Sequence, residues 1–262
     1  MPFTVSHTAA VLPLGRWLAR QRVLAAALIG SMAPDFGLLL PFDVPRSATH
    51  GIGALFRFCL PLGLLAWVVY EQLVRPALVE LLPDRWWSRC RARGAVEFGA
   101  VHTWLLAVLV VLGGAITHLV LDGFTHEGAR GVEMLPVLDD FAWQVNGHPM
   151  RLYRILQHGS SVAGLLVIAA VVWHWHRRLP AVASPLSRPL ATPERWGWIV
   201  AYLALPGVAT LRAMRAALHG HGPELATGAG LAHIAQVAMM AGAVALLLVS
   251  LLLRLRVTAR AG

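Results

Sequence analysis

Apolar positions along this chain follow neither the two-residue period of a half-buried strand nor the stripe of an amphipathic helix. They gather in six blocks, roughly 22–40, 54–74, 98–122, 159–176, 196–211 and 226–253. Each block approaches the ~20 residues that carry a helix across a ~30 Å hydrocarbon core. The shorter blocks are flanked by the Trp, Tyr and Arg residues that suit a membrane interface. A peptide group inside lipid finds no outside partner, so such blocks are expected to be helices. Residues 2–15 are apolar but too short to span, and read as a half-helix folded back on the first block by the Arg16–Arg22 turn. The pattern predicts an all-α chain, a polytopic transmembrane helical bundle of about six spans plus that N-terminal half-helix. Two parts are expected: residues 1–176 as the core carrying a candidate metal site, and 177–262 as a C-terminal pair of transmembrane helices. The loosest connection is Pro180–Pro193.

Composition sharpens the class. The chain is 57% apolar and 13% charged, against about 45–50% and 25% in ordinary globular domains. That excludes a disordered chain, a disulfide-stapled scaffold and a nucleic-acid-binding module. The formal charge of +9 comes from 22 Arg and no Lys, and the Arg residues cluster between apolar blocks. Arg16, Arg20 and Arg22, then Arg75 to Arg93, then Arg177 to Arg195, then Arg254 to Arg260 mark cytoplasmic ends. Segments 41–53, 123–158 and 212–225 then fall outside, which makes a multi-pass protein of the cell membrane with membrane lipid as its partner and no nucleic acid.

Ionisable groups within or beside spans are costly, and they usually face a cavity or one another. Five stand out: His7, Asp35, His50, His118 and Asp122. Asp35 ends the first block, His50 opens the second, and His118 and Asp122 end the third, so separate segments bring them to one membrane face. His118 and Asp122 are spaced i, i+4 and share a helix face; imidazole and carboxylate at that spacing can hold a divalent cation. Two carboxylates near lipid need a positive partner, either a metal ion or Arg46 or Arg57. His126, four residues beyond Asp122, and His158, opening the fourth block, are further candidate ligands. His102 and His233 lie deeper and read as structural, or as steps of a pathway. No nucleophile elbow, phosphate loop, HExxH or CxxC is present.

The opening MPFTVSH, then GSMAPD, then THG and a Pro-containing apolar span resemble an uncharacterised bacterial family of integral membrane proteins, a domain of unknown function. The order His7, Pro34–Asp35, Thr49–His50 and THLVLDGFTHEG is similar to the YdjM-like membrane-bound metal-dependent hydrolases. The likeness covers roughly residues 1–130. It implies His7, Asp35, His50, His118 and Asp122 as metal ligands. Gly37 and Gly51 stand where that pattern has further polar residues, which points to one ion rather than two. Mixed His and Asp ligands suggest zinc, with manganese or iron behind it. The function expected is metal-dependent hydrolysis of a lipid or lipid-linked (phospho)ester at the outer face, with Asp35 or Asp122 as ligand or base. A metal or proton transporter and a non-enzymatic structural membrane protein are the alternatives.

Overall fold

The computed structural model describes residues 4–42, 44–145, 148–179, 188–219 and 228–259. Most of the expected loose connection, 180–187, lies outside them. The chain opens with a 3-10 helix, Thr4–Leu14, followed by α1 (Gly15–Arg20), α2 (Leu24–Met32) and a 3-10 turn, Ala33–Leu39. Next come α3 (Arg46–His50), α4 (a continuous helical run, Ile52–Leu81), α5 (Asp84–Arg91), α6 (Val101–Thr125) and α7 (Arg130–Met134). A hairpin of β1 (Phe141–Val145) and β2 (His148–Arg151) leads into α8 (Leu152–Arg177), then α9 (Thr192–Leu218) and α10 (Gly228–Thr258). Among the described residues the fold is all-α apart from this one antiparallel pair.

Among the described residues five helices are long and apolar enough to cross a membrane: Ile52–Leu81, Val101–Thr125, Leu152–Arg177, Thr192–Leu218 and Ala232–Thr258. The first apolar block is the exception to the six expected. Its helix, Leu24–Leu39, is shorter than the five. Pro34 has no N–H to give to the helical ladder, and the coil tightens into 3-10 geometry from Ala33 onward. That tightening sets Asp35 on a buried turn.

Large apolar side chains are exposed along the long helices, and a group of polar ones is buried. Leu105, Leu109, Val120, Val162, Leu166 and Leu203 are exposed, whereas His7, Ser31, Asp35, Thr49, His118, Asp122 and Gln157 are buried. Exposed Leu and Val on helix faces, with ionisable groups buried, suit lipid as solvent.

Two compact units emerge, and neither is continuous in sequence. The first comprises residues 1–36, 45–67 and 96–178. Here α2 packs along α6, and the N-terminal 3-10 helix packs against α2, α6 and α8. The reversal between α1 and α2 uses Arg22 in a left-handed conformation, φ 61°. Contact between α2 and α6 is backbone to backbone. A Cβ on Gly114 would meet Ala27 O at 2.5 Å and Ser31 N at 2.6 Å, and one on Gly30 would run into the Val111 carbonyl oxygen. Small residues at such crossings are how helices approach closely in lipid, where apolar burial drives nothing. Cys59, Leu55, Ala33 and Ala115 form an apolar floor flanked by Phe36, Phe58, Leu112 and Leu119.

The second unit comprises residues 37–44, 68–95 and 179–262. In it α9 and α10 pack together and against the later part of α4, with Ala77, Leu190 and Leu253 at the centre. Arg188 closes the end of α4 by donating to Glu80 O at 2.7 Å and Leu82 O at 3.0 Å. The Glu80 carboxylate accepts from Trp87 Nε1 and Arg91 Nη1.

Candidate metal centre

Four segments of the first unit bring polar groups to one buried place. The N-terminal 3-10 helix supplies His7, the turn after α2 supplies Asp35, and α3 supplies Arg46 and His50. The last two turns of α6 supply His118 and Asp122, and His126 follows at the end of that helix. The i, i+4 spacing of His118 and Asp122 puts Nε2 of one 3.5 Å from Oδ2 of the other.

His50 Nε2 lies 3.5 Å from Asp35 Oδ1 and 3.5 Å from Asp122 Oδ2. His118 Nε2 lies 3.7 Å from Asp35 Oδ1, and His7 Nε2 lies 3.6 Å from Asp122 Oδ1. The rings of His7 and His118 stack with centroids 3.8 Å apart. Two overlapping groups, His7–His118–Asp122 and Asp35–His50–His118, each hold their donor atoms within 4.8 Å of one another.

These separations are compatible with a cation site. Hydrogen bonds between such atoms run about 2.7–3.2 Å. Ligand bonds of about 2.0–2.2 Å in tetrahedral geometry put neighbouring donors roughly 3.3–3.6 Å apart. The observed 3.5–3.7 Å edges fall beside the second range. His7 Nδ1 and Nε2, His50 Nε2, His118 Nε2 and Asp122 Oδ1 are buried without a hydrogen-bond partner, although buried polar atoms are rarely left so.

The partners behind the rings decide what each ring presents. His118 Nδ1 lies 2.8 Å from the carbonyl of Ser31. A carbonyl only accepts, so Nδ1 carries a proton there, and Nε2 faces Asp35 and Asp122. The Thr49 hydroxyl lies 3.3 Å from Arg46 O and 2.6 Å from His50 Nδ1. That contact holds the ring so that His50 Nε2 points inward to both carboxylates. Backbone carbonyls and hydroxyls fixing the far nitrogen are the usual support for metal-binding imidazoles. Thr4 Oγ1 donates to Asp35 Oδ2 at 2.7 Å and leaves Oδ1 for the centre. Thr49→Val removes the support of His50, and zinc affinity is expected to fall about 10- to 100-fold with stoichiometry retained, read by competition with a chelating dye.

Outside the five spans the electrostatics favour the neutral ring at His7 and His126 and the protonated ring at His50. Burial, and then the neighbouring His118, push the His7 pKa down to about 4, so this ring is neutral at pH 7, as a ligand must be. Burial opposes the charged form of His50, but the Asp122 and Asp35 carboxylates outweigh it and raise its pKa. His126 is lowered by burial, with the charge of Arg46 adding to this against the pull of Asp122.

Arg46 answers part of the carboxylate charge: Nη2 donates to Asp122 Oδ2 at 2.5 Å. Arg57, the other counter-charge considered, is exposed. The two secondary histidines separate. His126 Nδ1 lies 3.6 Å from Asp122 Oδ1 and 3.2 Å from the Asp122 carbonyl, and its Nε2 lies 3.2 Å from Gln157 Nε2. With Gln157 donating to Nε2 and Nδ1–H given to the carbonyl, the ring stands behind Asp122. His158 is exposed and lines a groove with Trp143, Met150 and Val162; it is not among the residues gathered here. His102 and His233 are exposed as well.

Thr4, the Ser31 carbonyl, Thr49 as an orienting group and Gln157 escaped sequence reasoning. Only Gln157 left a signal, as an amide opening an apolar block.

Fold and cluster together define an all-α chain with helices fit to cross a membrane and a buried His/Asp group able to hold a metal ion. The chain belongs to the family described as Domain of unknown function (DUF4184), whose model matches residues 1–254. No curated protein and no solved structure matches it.

Proposed function

We propose that this is a multi-pass protein of the cell membrane that binds one divalent cation, zinc first, and hydrolyses a lipid or lipid-linked phosphoester at the outer face. The observation that carries this reading is the pair of buried Nε2 atoms of His50 and His118, which lack hydrogen-bond partners. They face carboxylate oxygens at 3.5–3.7 Å. Neutral rings opposed to carboxylates at that distance repel them unless a cation lies among them. Arg46 does not meet the need, because it reaches only Asp122 Oδ2. A cluster that merely pinned helices would close these distances into hydrogen bonds.

A divalent ion there would polarise a phosphoryl or acyl oxygen and acidify water at neutral pH. His50, His118, Asp35 and Asp122 hold the ion, with His7 as the fifth donor. Whichever carboxylate oxygen is not spent on the ion accepts the proton of attacking water. The likeness of the ordered motifs to bacterial YdjM-like membrane-bound metal-dependent hydrolases supports the same reading. Polar groups at the ends of spans, beside Leu- and Val-covered helix faces, favour a substrate with a lipid part.

The test is purification in detergent with zinc, followed by metal analysis and a screen of lipid phosphoesters. Wild type is expected to carry near-stoichiometric zinc and to release product only when loaded. The double variant His118→Ala with Asp122→Ala is expected to carry none and to be inactive. Equal trace metal in both proteins removes the metal reading, and loaded protein that moves ions across liposomes without hydrolysis favours a transporter.

A further inference from the structure

Arg46 is poorly explained as a structural counter-ion. Its side chain is 43% exposed, yet its tip touches a carboxylate that is 5% exposed. It therefore links the buried cluster with the surroundings. It also shares the one-turn helix α3 with His50, at i, i+4, so a single element sets both groups on the cluster. Asp122 Oδ2, the oxygen to which Arg46 donates, is the same atom that His50 Nε2 and His118 Nε2 face at 3.5 Å.

We propose that Arg46 is the anion-binding residue of this centre, exchanging its hold on Asp122 for a phosphate group of the substrate. The inference rests on the metal reading above and narrows its substrate class from esters in general to phosphoesters. Two carboxylates are balanced by one divalent ion, and the Arg46 charge is then left in excess. An anionic substrate oxygen neutralises that excess, whereas a neutral carboxylic ester leaves it unmet beside a buried site, at a cost. The side chain suits the task. A guanidinium offers a planar fork that binds phosphate oxygens in pairs, which an ammonium does not. Asp122, committed to the ion, gives up part of its attraction for Arg46. The guanidinium then moves toward the open side, from which substrate arrives.

The experiment compares zinc-loaded wild type, Arg46→Gln and Arg46→Lys, all purified as full-length protein in detergent. Zinc content is measured first, then binding of inorganic phosphate by calorimetry, and then binding of phosphatidic acid in nanodiscs. Arg46→Gln is expected to keep its zinc and to bind phosphate about 10- to 100-fold more weakly, the loss of one charge-assisted hydrogen bond. Arg46→Lys, which keeps the charge but loses the fork, is expected to fall between the two. A larger loss on phosphatidic acid than on inorganic phosphate assigns the anion to a lipid headgroup; a loss on inorganic phosphate alone assigns it to a free phosphate. Unchanged phosphate affinity in Arg46→Gln overturns the proposal while leaving the metal centre intact. Loss of zinc in both Arg46 variants overturns it too, since Arg46 then only positions Asp122. A wild type that takes up no zinc is a different failure, because it removes the metal reading itself.

Discussion

Asp122→Ala is expected to weaken zinc binding by more than about 100-fold, the largest effect of any single side chain in the cluster. Changes one step behind a metal ligand already cost about 10- to 100-fold, and Asp122 is more central than that. Oδ2 faces His50 and His118, Oδ1 faces His7 and His126, and Arg46 donates to it as well. Only His118, common to both groups of donors, is shared as widely. Thermal unfolding with and without zinc distinguishes a ligand from a structural anchor. A metal held only by the folded state stabilises it by about 2.7 kcal/mol at a hundred times its dissociation constant, so the wild-type midpoint should rise with zinc and that of Asp122→Ala should not. If Asp122 only paired with Arg46, the variant would be destabilised in zinc-free buffer and would still respond to zinc. Arg46, being 43% exposed, can regain water when its partner is removed, so a small zinc-free effect is expected. Asp122→Asn keeps the volume and one acceptor oxygen, and its zinc affinity should lie between the other two.

The five central residues were legible because lipid makes them conspicuous. A carboxylate or imidazole at the end of an apolar block has no cheap solvation, so His7, Asp35, His50, His118 and Asp122 stood out before any geometry was known. What supports them was not legible. Ser31 acts through its carbonyl, which every residue possesses. Thr49 and Thr4 act through hydroxyls that are ordinary in any helix. Gln157 and His158 are adjacent, and one step along a helix turns the side chain by about 100°. The imidazole drew attention, yet the amide is the group that meets His126. The first block counted as a full span because its apolar run continues through Pro34. Its backbone does not continue as an α-helix, and that shortening is what carries Asp35 to the cluster.

The crossing of α2 and α6 was equally hidden, because a glycine in an apolar block looks the same whether it faces lipid or a neighbour. Gly113 and Gly114 put this to the test. A Cβ on Gly114 meets the backbone of Ala27 and Ser31 at 2.5 and 2.6 Å, and one on Gly113 meets nothing within 4 Å. Gly113→Ala is expected to be neutral or to gain up to about 1 kcal/mol from helix propensity. Gly114→Ala forces the two helices apart, because backbone atoms cannot turn aside as a side chain can. Overpacking of that kind costs about 1–3 kcal/mol or more. The effect also reaches the site. His118 lies one turn beyond Gly114 and takes its orientation from the Ser31 carbonyl at 2.8 Å, on the very segment that would be displaced. Gly114→Ala should therefore lower the thermal midpoint in detergent and weaken zinc binding together, although it touches no ligand. Gly114→Val should yield little folded protein. Equal midpoints and equal zinc affinities for Gly113→Ala and Gly114→Ala would show that the close crossing does not hold His118 in place.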